Sequence, residues 1–155
     1  MTFKVTYDLP KSKIRWASER LAGAEFRDDA VAIGNERNGD LCAVAVFDTF
    51  TPTSCQVSLV SDGSKRWMTR EFIAAGFAYP FITCGFPNIY ALVSEHNEAA
   101  LKLNLHFGWK EIVRLDEDGL HGETNILLRM KRRECRWLPA SFVAVAPSQV
   151  AAPQV

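Results

Sequence analysis

The stretch from Ser94 to Glu111, "SEHNEAALKLNLHFGWKE", decides how the rest of the chain is read. Asn97 stands just where the strand-like run "NIYALVSE" stops, Asn104 follows inside an apolar pattern, and Gly108 with Trp109 ends the segment. On a helix beginning near Asn97, steps of three and four place Asn97, Ala100, Leu101, Asn104 and Gly108 on one stripe. Leu103 and Phe107 lie beside it, on the side better suited to a core. A core-facing stripe avoids Asn104, because an unpaired buried amide costs roughly 1–3 kcal/mol. A solvent-facing stripe carries charges rather than Ala and Leu. A face against a partly polar, partly apolar ligand accommodates both. Asn97 also suits a helix cap, and spacing alone leaves the two roles open.

Working outward, "FKVTYDL" reads as a first strand and Pro10 opens a helix, "PKSKIRWASERLAG", with Gly23 as its stop. "AVAIGNERNGDLCAVAVFDTF" is two strands around an Asn38-Gly39 hairpin turn. "SCQVSLVS" is a fourth strand, ended by Asp62-Gly63. Ile73, Phe77, Phe81 and Cys84 recur at helical intervals, and Pro80 should kink or shorten that helix. After the opening segment, "WKEIVRL" and "TNILLRM" are strands joined by the acidic turn "DEDGLHGE". The order is β-α-β-β-β-α-β-α-β-β, a mixed α/β chain with helices against a sheet. Residues 1–138 form one domain. Residues 139–155, uncharged and rich in Pro, Ala and Val, are expected to be a mobile or loosely docked tail.

The chain has 155 residues, 48% hydrophobic and 23% charged, which suits a single globular core. Its formal net charge is zero, so no global field draws it to nucleic acid or acidic lipid. The N-terminus lacks a secretory h-region and no apolar run is long enough to span a bilayer, so the cytoplasm is expected. Cys42, Cys55, Cys84 and Cys135 are scattered, with no metal-ligand spacing, and read as free thiols. No metal is expected.

"NEAALKLNLHFGW" resembles the N-x-x-A-x-x-L-(Y)-x-x-x-G-F segment of the GNAT superfamily, the acyl-CoA-dependent N-acyltransferases. The match runs through Asn97, Ala100, Leu103, Gly108 and Trp109, the last standing where the family has Phe. "NIYALVSEH" is similar to the family's fifth strand, and the element order is that of the family over residues 3 to 133. The likeness is greatest to the branch that modifies protein N-termini or small amines, and to small phage-genome members. It implies a single-domain α/β (α+β) fold: a mixed, mostly antiparallel sheet of about six or seven strands, helices on both faces, and splayed fourth and fifth strands. It implies acetyl-CoA as co-substrate and direct attack by an amine within a ternary complex.

By the same resemblance, the backbone of Leu59, Val60 and Ser61 serves the pantetheine arm and the developing oxyanion. The family's R/Q-x-x-G-x-G/A phosphate loop is replaced by "SDGSKRWMTRE", without the paired glycines. Backbone amides from Lys65, Arg66, Trp67, Met68, Thr69 and Arg70 are then expected to wrap the diphosphate, with Lys65, Arg66 and Arg70 adding charge and Ser64 or Thr69 capping the helix. Asn97, Ala100 and Asn104 complete the cofactor side. Asn104 stands where many members carry a Tyr general acid; an amide can hydrogen-bond the sulfur but cannot protonate it. Asn104, Ser58 and His96 are the catalytic candidates, and Glu36, Asp48 and Glu95 are further bases. Cys55 and Cys84 have no His partner and are not expected to be nucleophiles. Two alternatives stand beside this: a non-catalytic CoA-binding or protein-interaction module, and a nucleic-acid patch at "RMKRRECR". The amine acceptor is unspecified, a homodimer is open, and no membrane partner is expected.

Overall fold

Asn38 and Gly39 adopt φ of 52° and 90°. Two successive left-handed residues make the tight turn whose twist matches paired strands, and they join β2 (Val31–Arg37) to β3 (Asp40–Asp48). The computed structural model describes residues 1–21 and 24–138. The Gly23 helix stop and the 139–155 tail therefore lie outside the described residues. The remaining elements are β1 (Phe3–Thr6), α1 (Pro10–Arg20), β4 (Ser54–Ser61), α2 (Arg70–Ala78), β5 (Asn88–Ser94), α3 (Glu98–Phe107), β6 (Lys110–Leu115) and β7 (Asn125–Lys131). The succession is the one the sequence predicts, except that β1 stops at Thr6 rather than Leu9. Leu9 turns into the left-handed region at φ 48° and Pro10 begins the helix at once.

The seven strands form one sheet in the order β1-β2-β3-β4-β5-β7-β6. Each neighbouring pair is antiparallel except β4 and β5, which run parallel. Alternation along β3 shows how the layers divide. Ala43, Ala45 and Phe47 join a core with Phe72, Ile73 and Phe77 of α2, while Val44 and Val46 join Ala17 of α1 and Val60 of β4. Helices thus cover both faces. The α2–α3 side is the larger and more aromatic, with Phe47, Phe50, Phe72, Phe81 and Phe86 buried.

α2 ends where Pro80 arrives. Lacking an N–H, Pro80 cannot continue the ladder, and the chain widens into a π turn over Tyr79–Thr83 in which Cys84 N–H donates to Tyr79 O at 2.9 Å. This is the expected shortening. On the opposite face, Gly34 lets α1 sit close to the sheet. A Cβ there would come within 2.7 Å of Lys13 Cε and 2.8 Å of Leu41 Cδ2. The Lys13 stem lies in that space, buried, while its ammonium reaches out to the Asp8 carbonyl and carboxylate. Replacing Gly34 by Val should destabilise the fold by about 1–3 kcal/mol through overpacking. Gly34→Ala should cost less, because the crowded atoms are ends of flexible side chains. Urea denaturation of both variants measures the difference.

Candidate functional site

β4 and β5 begin side by side. Ser54, Cys55 and Gln56 pair with Asn88, Ile89 and Tyr90. The pairing stops there, although β4 continues to Ser61 and β5 to Ser94. Each strand keeps its other neighbour throughout, β4 with β3 as far as Ser61–Ala43 and β5 with β7 as far as Ser94–Asn125. A wedge of about 670 Å³ opens between them, a volume suited to a small-molecule ligand.

Backbone alternation decides which polar groups face this wedge. Asp62 N–H donates to Cys42 O at 2.9 Å. Stepping back by two residues, Val60, Ser58 and Gln56 direct their N–H and C=O groups toward β3, so Val57, Leu59 and Ser61 direct theirs into the wedge. On the other strand Glu95 N–H donates to Thr124 O at 2.9 Å, which leaves Leu92 and Ser94 facing the gap. Of the three residues whose backbone was expected to serve the ligand, Leu59 and Ser61 are so directed. Val60 is not: its polar groups belong to the pairing with Val44, and its side chain packs under α1. Val57 takes its place. Ser58 shares the Val60 face, where Arg20 and Leu21 at the end of α1 also line the wedge.

α3 supplies one wall. The Asn97 side chain accepts from Ala100 N–H at 3.2 Å and so caps the helix, and Asn97 also lines the wedge with Ala100, Leu103, Asn104 and Phe107. The two roles left open by the sequence are therefore compatible. The lining stripe differs from the expected one: Leu103 and Phe107 replace Leu101 and Gly108. The cleft opens directly onto the aromatic core, so the core-facing and ligand-facing sides of α3 are one continuous surface.

The loop from Asp62 to Thr69 supplies another wall. Arg37 on β2 grips its start, donating to Asp62 Oδ2 at 2.9 Å and to Ser64 Oγ at 2.8 Å. Burial raises the Asp62 carboxyl pKa, but hydrogen bonds from Ser64 and the Arg37 guanidinium outweigh it and hold the group below its ordinary value. Trp67 turns inward, 8% exposed, with its ring edge-on to Phe72 at 6.3 Å. It forms part of the wall and of the core. Thr69, not Ser64, caps α2, accepting from Phe72 N–H at 3.3 Å. Lys65, Arg66, Met68 and Arg70 are exposed around that helix start. Among the described residues, the N–H groups of Met68, Arg70 and Glu71 meet no protein acceptor. Farther along α2, a Cβ added at Gly76 meets nothing within 4 Å, because that residue borders the wedge.

Other candidates stand apart. His96 is exposed beyond the end of β5, in a separate hollow with His121, Gly122 and Glu123 that shares only Ser94 with the wedge. Glu95 accepts from Thr124 N–H at 3.2 Å. Asp48 accepts from Arg27 N–H at 3.1 Å, near the closed end of the sheet, and neither it nor Glu36 lines the wedge. Ser58 alone among the proposed bases does. All four cysteines are free and buried; burial pushes the Cys55 and Cys84 thiols up, and Cys135 to about 11, so they stay protonated and poorly nucleophilic. Among the described residues no His, Cys, Asp and Glu side chains gather as a metal site. None of the described helices is long and apolar enough to cross a membrane. In "RMKRRECR", Arg132 is buried and donates to Gly85 O at 3.2 Å, and Glu134 pairs with Lys110. Asn35, Arg37, Val57 and Gly76 escaped the sequence reading. None of them carried a clear signal, since Asn35 opens the polar half of β2, directly before Glu36 and Arg37.

The lowered Asp62 pKa has a testable consequence. Its stabilising contribution is fully present above the ordinary value of 3.8 and is lost as pH falls through the lower folded-state value. Asp62→Asn should therefore lower stability at neutral pH, and the gap to the unmodified protein should narrow in acid below that value. Urea denaturation at both pH values checks this; a gap independent of pH would remove the Arg37 ion pair from the account.

No protein-family model matches the chain, and no curated protein sequence does. Solved structures do. A point mutant of the spermidine N-acetyltransferase from Vibrio cholerae superposes with a TM-score of 0.73 at 12% identity, covering 90% of this chain and 98% of that one. A dodecameric structure of the same Vibrio cholerae enzyme gives 0.72 at 11% identity, over 84% and 94%. The ribosomal-protein-S18-alanine N-acetyltransferase from Escherichia coli gives 0.63 at 12% identity, over 84% and 94%. The overall fold is shared with these structures across that sequence distance, and the chain has the fold of the GNAT superfamily.

Proposed function

We propose that the chain is an N-acetyltransferase that moves an acetyl group from acetyl-CoA to a primary amine by direct attack. The observation that carries this is the wedge itself. Val57, Leu59 and Ser61 offer a strand edge to an extended, amide-containing chain, and the start of α2 offers N–H groups with Lys65, Arg66 and Arg70 to a diphosphate. The open space over Gly76 and the small side chains of Ala91 and Ala100 leave the channel clear. The thioester supplies an activated acyl carbon; everything else falls to the protein.

An inward N–H of β4 donates to the carbonyl oxygen as negative charge develops there. The amine nitrogen bonds to the acyl carbon, the carbon–sulfur bond breaks, and the ammonium proton leaves to solvent or a base. Asn104 can donate its amide N–H to the departing sulfur, and water then protonates it, since an amide has no acidic proton at neutral pH. Ser58, on the α1 face of the gap, can relay the ammonium proton to solvent. Asn97 and Ala100 shape the cofactor side, and Trp67, Met68 and Thr69 complete the diphosphate loop. Free, protonated thiols suit a reducing compartment, the cytoplasm.

Acetyl-CoA at about 100 times its dissociation constant should stabilise the protein by roughly 2.7 kcal/mol in thermal denaturation. Gly76→Leu should fold at least as well, because leucine is the better helix former, yet lose that stabilisation by filling the channel. Thiol release against a panel of amines then separates an enzyme from a binding module, which would show the stabilisation without turnover. No stabilisation at millimolar acetyl-CoA would overturn the assignment.

A further inference from the structure

Asn35 is a polar residue in a place that should be apolar. It sits on β2, fully buried, on the face that carries Ile33 and looks toward α2. Its side-chain Nδ2 donates to Trp67 O at 2.7 Å and to Thr69 Oγ1 at 3.3 Å. Its Oδ1 has no partner among the described residues. The amide therefore leaves one acceptor unsatisfied while holding the loop ahead of α2 at two points. Arg37, farther along β2, holds the start of the same loop at Asp62 and Ser64.

The geometry of one peptide unit gives these contacts a purpose. In a trans peptide the C=O and the following N–H point in opposite directions. The Trp67 carbonyl accepts from Asn35 Nδ2 at 2.7 Å, and from the Thr69 N–H at 3.1 Å, so the Met68 N–H is turned away from Asn35. Like the N–H groups of Arg70 and Glu71 at the helix start, it meets no protein acceptor among the described residues. Met68 itself lies on the outer side, 44% exposed, whereas Trp67 is sunk in the core. Glycines commonly give a phosphate-binding loop its path by removing Cβ atoms. "SKRWMT" has none after Gly63, and its path is imposed from below by a side-chain amide, a buried indole and a helix-capping threonine.

We propose that Asn35 is a positioning residue for the diphosphate of the acyl-CoA substrate: by holding the Trp67 carbonyl and the Thr69 cap it aims the Met68, Arg70 and Glu71 N–H groups at the anion. The assignment rests on the acetyl-CoA reading above and adds the means by which a loop without the glycine pattern serves it. Asn35 touches the loop, not the ligand.

The test compares coenzyme A with pantetheine, which lacks the diphosphate, by titration calorimetry on the full chain. Asn35→Ala should weaken coenzyme A by about tenfold or more, the effect of losing a well-aimed hydrogen bond to a charged group, and leave pantetheine affinity unchanged. A general loosening of the fold would weaken both equally, and that result, or no change for coenzyme A, overturns the proposal. Met68→Pro removes the outward N–H itself and should show the same selectivity, and an equal loss for both ligands overturns the proposal if Asn35→Ala does not fold. Failure of the unmodified protein to bind coenzyme A would instead overturn the acetyl-CoA reading itself, and this proposal with it.

Discussion

Two parallel strands stay hydrogen-bonded only while their directions agree, and β4 and β5 agree for three residue pairs before they part. Neither strand is free to follow the other beyond Gln56 and Tyr90. β4 is committed to β3 through Ser61, β5 is committed to β7 through Ser94, and the right-handed twist of a sheet carries the two halves away from each other. The consequence is a row of backbone groups, at Val57, Leu59 and Ser61 on one side and Leu92 and Ser94 on the other, that a closed sheet would have paired. An unpaired strand edge in the middle of a sheet is costly if dry. It persists here because it opens on a wedge accessible to solvent rather than on a dry core.

The same divergence explains why the site is at once apolar and polar. The wedge cuts into the larger of the two cores, so Phe72, Phe77, Phe107 and Trp109 serve as both core and floor. The polar groups of the lining are the strand edges, Ser58, Arg20, Ser64 and the amides of Asn97 and Asn104 on α3. α2 and α3 both begin at the open end of the sheet, following β4 and β5, so the positive ends of their dipoles converge there. In a chain with zero net charge, positive groups thereby gather at this end, with Lys65, Arg66 and Arg70 exposed beside them.

The loop from Asp62 to Thr69 is held in place by tethers. Arg37 holds Asp62 and Ser64, Asn35 holds Trp67 and Thr69, and the Trp67 indole is sunk against Phe72. Every tether originates in β2 or in the core, so the loop moves with the sheet and not independently of it. Large side chains at Trp67 and Met68 are accommodated because Trp67 is buried in the core while Met68 lies exposed.

The amino-acid sequence by itself determined the elements, because their causes are local. Asn38-Gly39 forces a turn, Pro10 opens a helix, Pro80 ends one, and alternation or helical spacing of apolar residues does the rest. The Asn97-to-Trp109 pattern pointed to the superfamily and so to a splayed strand pair, and Leu59, Ser61, Asn97, Ala100 and Asn104 were named from it. What only the tertiary structure decided is orientation. Whether Val57 or Val60 offers its backbone to the gap depends on the phase of the pairing with β3, and whether Leu101 or Leu103 lines the cleft depends on a rotation of α3 set by packing. The tie from Asn35 to Trp67 spans two strands and a loop, and His96 and Ser58, near neighbours of the same gap on paper, face different hollows. Local chemistry writes the elements into the chain. Register, helix phase and contacts between distant residues arise only when those elements share one core, which no short window of sequence contains.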